Sequence, residues 1–320
     1  MARLLARSAE SCFWMARYME RAENLARLLE VNETFARDVR GSNDWTPVLA
    51  INSDLERFSE RHDRADDASV IRFYLLDAGN PTSIPFCVRA ARENARTLRP
   101  LISTEMWHHI NVFHNTLMGL TAGDVGLHRL SAACARVKEA CQAHNGILEG
   151  TFYRDEGWYF YQIGKALERA DQTSRLLDIK YHALAPADLG EGVASIADES
   201  QWNAVLRSAA GYHAFRRIHS RGMDPGSVAR FLLFNDSFPR AVATNIEQID
   251  ALLTELKSRY TLKGGNDAME RVDEIRAVLQ SRDAEGIIGD GLHAFCDWLQ
   301  AQLADLAFML GRGFFGYQAA

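Results

Sequence analysis

Apolar residues recur at helical spacing through almost the whole chain, and no stretch alternates in twos between hairpin dipeptides, so sheet folds are excluded before any motif is considered. The pattern predicts an all-α fold, a helical bundle of about twelve helices. They fall near 8–39, 47–61, 66–78, 82–99, 103–119, 124–144, 156–183, 199–220, 225–235, 239–259, 266–281 and 289–311. Asp224-Pro225 supplies an N-cap with proline at the first helical position, and Ser103 and Thr104 can cap the helix after Pro100. Gly41, Gly119 and Gly146 follow amphipathic stretches and are expected as left-handed C-caps. The stretch 183–200 reads as a surface loop, linker or flap.

Within this pattern one segment occurs twice. Residues 17–32 read RYMERAENLARLLEVN and residues 165–180 read KALERADQTSRLLDIK, sharing Glu20/Glu168, Arg21/Arg169, Ala22/Ala170 and Arg27-Leu28-Leu29 against Arg175-Leu176-Leu177. WTPVL at Trp45 answers WNAVL at Trp202, and FYLLDAGNPTSI from Phe73 answers FLLFNDSFPRAV from Phe231, at offsets of 148, 157 and 158. Three matches in order at a nearly constant offset imply a tandem duplication of a six-helix unit, 1–150 and 151–320. Two such halves are expected to pack as pseudo-two-fold related parts of one compact body, with the two long Glu-Arg helices facing each other.

The 320 residues are 47% hydrophobic and 24% charged, enough for one large or two modest cores. A net charge of -6 and a pI near 5.9 argue against nucleic acid as partner. No run reaches the roughly 18 apolar residues of a membrane span, and MARLLARSAE is no secretory leader, which together predict a cytoplasmic chain. The five scattered cysteines, Cys12, Cys87, Cys134, Cys141 and Cys296, form no CxxC pair and read as small buried apolar groups.

On the Glu-Arg helices, Arg17, Asn24 and Arg27 fall within about 60° of Glu20, and Lys165, Gln172 and Arg175 repeat that face around Glu168. Met15, Tyr18, Ala22, Leu25 and Leu29 occupy the opposite side. Such a stripe could be a solvated face held by weak i,i+4 pairs. The recurrence of Glu-Arg-Ala in both halves favours instead an internal site, either a buried structural network or a ligand site, in which each arginine forks onto a carboxylate from another helix.

Arg89, Arg92, Arg96 and Arg99 lie within about 80° of one helix's circumference, with Glu93 beside them. The second half offers Glu247 and Asp250 in place of Arg89 and Arg92, so the halves are electrostatically unequal. The arginine stripe could hold a carboxylate or phosphate, answer Glu20 and Glu168, meet an acidic partner surface, or simply be solvated. No metal site is expected: His109 and His114 are five apart, His213 and His219 six, and no HExxH occurs. Phosphate-loop, dinucleotide and nucleophile-elbow motifs are absent, and no cofactor is implied. LKGGND at 262–267 reads as a turn, and the terminal GRGFFGYQAA as a tail docking Phe314, Phe315 and Tyr317 on its own core.

SAESCFWMARYMERAENLARLLEV, NPTSI, ARENAR, RDEGWYFYQIGKALERAD and FLLFNDSFPR together resemble the alpha-E family, bacterial all-helical proteins named for a Glu-Arg motif. The resemblance spans nearly the whole chain. It maps the family's Glu-Arg pairs onto Glu20-Arg21 and Glu168-Arg169, and its Arg-Glu-Asn segment onto Arg92-Glu93-Asn94. Ala241 follows FPR where the family leads one to expect serine. The family's association with circularly permuted ATP-grasp proteins and transglutaminase-like proteins implies a place in making or modifying a peptide or amide-linked product. The expected function is a non-catalytic helical partner that presents a small anionic or peptide ligand to an ATP-grasp ligase. Its binding residues would be Glu20, Arg21, Asn24, Arg89, Arg92, Glu93, Arg96, Glu168 and Arg169. The alternative is an enzyme of that pathway using the Glu-Arg cluster for acyl or amine transfer.

Overall fold

A computed structural model describes residues 4–38, 45–183, 191–219, 222–281 and 284–318. The helices in chain order are α1 (Ala6–Asp38), α2 (Thr46–Ile51), α3 (Leu55–Ser59), α4 (Asp67–Leu75), α5 (Ile84–Thr97), α6 (Thr104–Met118) and α7 (Leu130–Thr151), the last preceded by a 3₁₀ turn. They continue with α8 (Glu156–Ala183), α9 (Glu191–Ser208), α10 (Tyr212–Ile218), α11 (Pro225–Phe234), α12 (Val242–Tyr260), α13 (Asn266–Ser281) and α14 (Ala284–Leu310), closed by a π turn at Gly311–Phe315. No strand occurs among the described residues. None of the helices is long and apolar enough to cross a membrane.

The two extra helices arise because the predicted 47–61 and 199–220 each break once. Ser53 and Ala210 both take φ 56°, the left-handed region. Ser53 N–H donates to the Ala50 carbonyl and Asp54 N–H to that of Leu49; Ala210 N–H donates to Arg207 and Gly211 N–H to Leu206. Each set is a complete Schellman motif, which satisfies the last carbonyls of a helix and turns the chain away. Neither Ser nor Ala advertises a left-handed residue, so the apolar periodicity runs through both without a stop signal. Other boundaries move for similar local reasons. α7 begins at Leu130 and runs through Gly146, which is interior and exposed, not a cap. Gly119 does end α6, but at φ -86° without the left-handed turn. Gly41 lies outside the described residues. The supposed loop 183–200 is largely helix, since α8 reaches Ala183 and α9 starts at Glu191. Ser103 and Asp224 cap as expected, accepting from the backbone N–H of Met106 at 3.1 Å and of Ser227 at 2.8 Å.

Packing divides the chain into two units. Unit 1 comprises Met1–Lys165 with Phe314–Gly316, and unit 2 comprises Ala166–Gly313 with Tyr317–Ala320, so the boundary falls inside α8, whereas the expected repeats divide at 150/151. In unit 1, α1 lies along α5 and α7, and α6 packs on both of those. Phe13, Met15, Leu25 and Leu29 of α1, Val88 and Ala91 of α5, Ile110 of α6 and Val137 of α7 are buried together in its core. A Cβ on Gly164 of α8 would collide with the carbonyl oxygen of Phe13, which is how closely these two helices approach. The Phe315 ring is 5.3 Å from Phe13 and 5.5 Å from Phe160, so the terminal aromatics do dock on a core.

In unit 2, α12, α13 and α14 pack in succession, with α11 on α12 and α14. Trp202, Phe215, Phe231, Ile249, Leu253, Val272 and Leu299 are fully buried or nearly so. Gly264, in the expected turn, faces the Gly313 backbone at a distance no side chain would permit. All five cysteines are buried and unbridged. Burial raises the thiol pKa of Cys12, Cys141 and Cys296 well above its ordinary value and that of Cys134 to about 12, so they behave as apolar filler.

Candidate functional site

Where α1 and α5 run side by side in unit 1, their outer edges leave a polar groove of about 490 Å³. α1 contributes Arg7, Glu10, Ser11, Trp14 and Tyr18, at spacings of three and four that put them on one face. α5 contributes Glu93, Asn94, Arg96 and Thr97. α5 starts where it does because Ser83 accepts a hydrogen bond from Phe86 N–H at 3.2 Å and Pro85 sits in the first turn. Ile84, Val88, Ala91 and Ala95 then anchor its inner face, which leaves Glu93, Arg96 and Thr97 at the edge.

The groove offers both charge signs and an aromatic wall. Arg96 pairs with Glu93 at 2.7 Å, and Glu93 also meets Arg92 at 3.1 Å. Trp14 and Tyr18 lie 5.6 Å apart, ring centre to ring centre, and Arg17 stands over the Trp14 ring at 4.9 Å. Such exposed pairs add little stability, about 0–1 kcal/mol each. Their charges are therefore available to a ligand at little cost to the fold. Two carboxylates near two guanidiniums suit a zwitterion, whose ammonium and carboxylate would each meet an opposite charge.

The sequence-predicted arginine stripe is thus divided among different duties. Arg89 is exposed and donates to the Ala78 carbonyl at 2.9 Å. Arg92 donates to Asn111 Oδ1 at 2.6 Å and stacks over Trp107 at 5.6 Å, while Arg99 covers the same ring at 5.2 Å. Only Glu93 and Arg96 of the named residues line the groove.

The Glu-Arg carboxylates are placed differently. Glu20 is 2% exposed in unit 1 and Glu168 is fully buried in unit 2, whereas Arg21, Asn24 and Arg169 are half-buried. Gln172 donates to Glu168 Oε1 at 3.2 Å. One turn further along each helix the acid-guanidinium motif recurs, with Arg27 on Glu23 at 2.6 Å and Arg175 on Asp171 at 3.0 Å. A solvated stripe is therefore the wrong description of this face.

Sequence reasoning missed Arg7, Glu10, Ser11 and Trp14, because their spacing marks a helix face without saying that α5 lies beside it. It also assigned Tyr18 to the apolar side of α1, where its ring does meet Phe86 at 6.2 Å while lining the groove. A cluster of Asp178, His293 and Asp297 in unit 2 was missed for the same reason, since two helices far apart in sequence supply it.

A chain of Mycobacterium bovis and two of Mycobacterium tuberculosis, all uncharacterised, are 26% identical to this one over 326 aligned positions. The alignments cover 93% of this chain but 36% of each relative, so the chain spans about a third of the length of the curated relatives it matches. No solved structure matches. The Alpha-E model, described as a predicted alpha-helical domain with a conserved ER motif, matches residues 4–315. With its Glu-Arg pairs at residues 20–21 and 168–169, this chain belongs to the Alpha-E family.

Proposed function

We propose that the protein is a non-catalytic helical partner of a circularly permuted ATP-grasp ligase, and that the α1–α5 groove of unit 1 holds the amino or carboxyl end of the amino acid or peptide the ligase acts on. The observation that carries this reading is the groove itself. Its volume of about 490 Å³ suits a small ligand, its charges are of both signs, and three residues of the ARENAR segment, Glu93, Asn94 and Arg96, line it. The relatives add support, because in them the matched region is about a third of a longer polypeptide, as expected of a module that works beside another. A transglutaminase-like protein is a second partner the family resemblance suggests.

The test is co-expression with a circularly permuted ATP-grasp protein from the same genome, followed by co-purification and ligase kinetics. Arg96→Glu combined with Arg7→Glu should preserve the helical fold while raising the ligase's KM for its amine or carboxylate substrate. Ligase kinetics unaffected by this protein, together with no measurable binding, would end the proposal.

A second reading, an enzyme using Glu20 or Glu168 in acyl or amine transfer, is favoured by the burial of both carboxylates, since enclosed acids are the ones whose proton affinity can be tuned for catalysis. It requires Glu20→Gln or Glu168→Gln to abolish turnover with the melting temperature little changed.

A further inference from the structure

We infer that unit 2 carries a site for a borderline divalent cation of the Zn²⁺ class, with His293 Nε2 and Asp297 as ligands and Asp178 holding the imidazole from behind. This is independent of the groove in unit 1 and of the ligase reading.

His293 and Asp297 are one turn apart on α14, the i,i+4 spacing that brings two donors to one side of a helix. Asp178 reaches them from α8, and the donor atoms of the three residues all lie within 4.8 Å of one another. His293 Nδ1 is 2.5 Å from Asp178 Oδ1, and Nε2 is 3.3 Å from Asp297 Oδ2. A tetrahedral ion with bonds of about 2.0–2.1 Å keeps neighbouring ligand atoms roughly 3.3–3.4 Å apart, so Nε2 and Oδ2 already stand at the separation a shared ion requires. The Nδ1–H donating to a buried carboxylate is the arrangement that fixes the tautomer and orients the ring of a metal-bound histidine. Remaining positions would be taken by water, and the imidazole-carboxylate donor set selects Zn²⁺, Co²⁺ or Ni²⁺ over Mg²⁺ or Ca²⁺.

The charge balance points the same way. Two carboxylates share one imidazole. Asp178 is 8% exposed, so water neutralises it poorly. Asp178 from α8 and Asp297 from its own helix both act on His293. Unit 1 handles the matching place otherwise. Glu30 lies 148 positions before Asp178, and Lys138 of α7 pairs with it at 2.5 Å. Unit 2 substitutes a residue that can exchange its proton for a metal and adds a second carboxylate beside it.

The experiment is titration of the metal-stripped full chain with CoCl₂ and ZnCl₂, read by calorimetry and by the visible absorption of Co²⁺. One equivalent should bind, more tightly at pH 8 than at pH 6 because the ion competes with the His293 proton. Asp178→Asn should lower affinity about 10–100-fold. His293→Lys should abolish binding while keeping the fold, since it rebuilds the carboxylate-ammonium pair that unit 1 uses, and circular dichroism checks that the helices persist. Equal binding by the wild type and His293→Lys would mean an adventitious ion only and would overturn the site. An Asp178→Asn chain that binds as tightly as the wild type would remove Asp178 from it. If His293→Lys fails to fold, Asp297→Asn at the exposed rim takes its place: lost binding supports the site, and undiminished binding overturns it.

Discussion

Unit 1 and unit 2 share apolar contacts and the acid-guanidinium stripe of their long helices but differ at other charged positions. Trp45 and Trp202 are both fully buried. Phe58 stacks on His62 at 4.5 Å and meets Phe73 edge-on at 5.2 Å; Phe215 stacks on His219 at 4.5 Å and meets Phe231 edge-on at 5.5 Å. The left-handed turns at Ser53 and Ala210 stand 157 positions apart, the same offset that separates the tryptophans. Against this, α5 carries Arg89 and Arg92 where α12 carries Glu247 and Asp250, the latter paired with Arg276 of α13. These recurrences fall at the same offsets as the sequence matches. Apolar contacts and turns recur between the units, whereas these charged positions do not.

The likeness breaks first at the tryptophans if it is wrong. Trp45→Ala and Trp202→Ala should each cost about 3–5 kcal/mol in urea unfolding, because each removes a fully enclosed ring. A loss confined to one of them would mean that the two cores are not equivalent.

Gly164→Ala tests a difference inside the likeness. Position 16, which is 148 residues earlier, tolerates a buried alanine, but at 164 the added methyl meets the Phe13 backbone. A loss of about 1–3 kcal/mol is expected, measurable as a lower denaturation midpoint.

The caps offer a paired exchange. Ser83 caps α5 through its hydroxyl, whereas Ala241, in the same extended conformation before α12, has none to offer. Ser83→Ala should destabilise by about 1 kcal/mol and Ala241→Ser should recover a similar amount, both visible in thermal melts.

The smallest effect is electrostatic. Hydrogen bonding to Asp178 raises the His293 pKa above its ordinary 6.5. Its contribution to stability is therefore fully present below pH 6.5 and is lost as pH rises through the elevated folded value. The effect is modest because the imidazole is 44% exposed and screened by water. Melting curves of metal-free wild type between pH 6 and 9 should show a decline that His293→Lys lacks, since an ammonium does not titrate in that window.

The all-helical fold was legible because periodicity and caps are local. So was the inward burial of Glu20 and Glu168, from the recurrence of their neighbours rather than from hydrophobicity, which would have placed acids outside. The breaks at Ser53 and Ala210 were not legible, since any residue can be forced left-handed when a Schellman turn repays it with two hydrogen bonds. Gly146 misled for the opposite reason: its exposed face of α7 tolerates a glycine without ending the helix. The groove and the Asp178–His293–Asp297 cluster needed helix pairings that one-dimensional spacing does not contain.

Phe314–Gly316 belong to unit 1 although they follow residues 166–313 of unit 2 in the chain. During synthesis on a ribosome, Phe13 and Phe160 emerge long before the ring of Phe315 that finally covers them. Until then the Phe13 and Phe160 rings lack that cover, and transiently exposed apolar surface of this kind promotes aggregation. Final closure of that core therefore waits until Phe315 has been added, after residues 166–313 of unit 2 have been made.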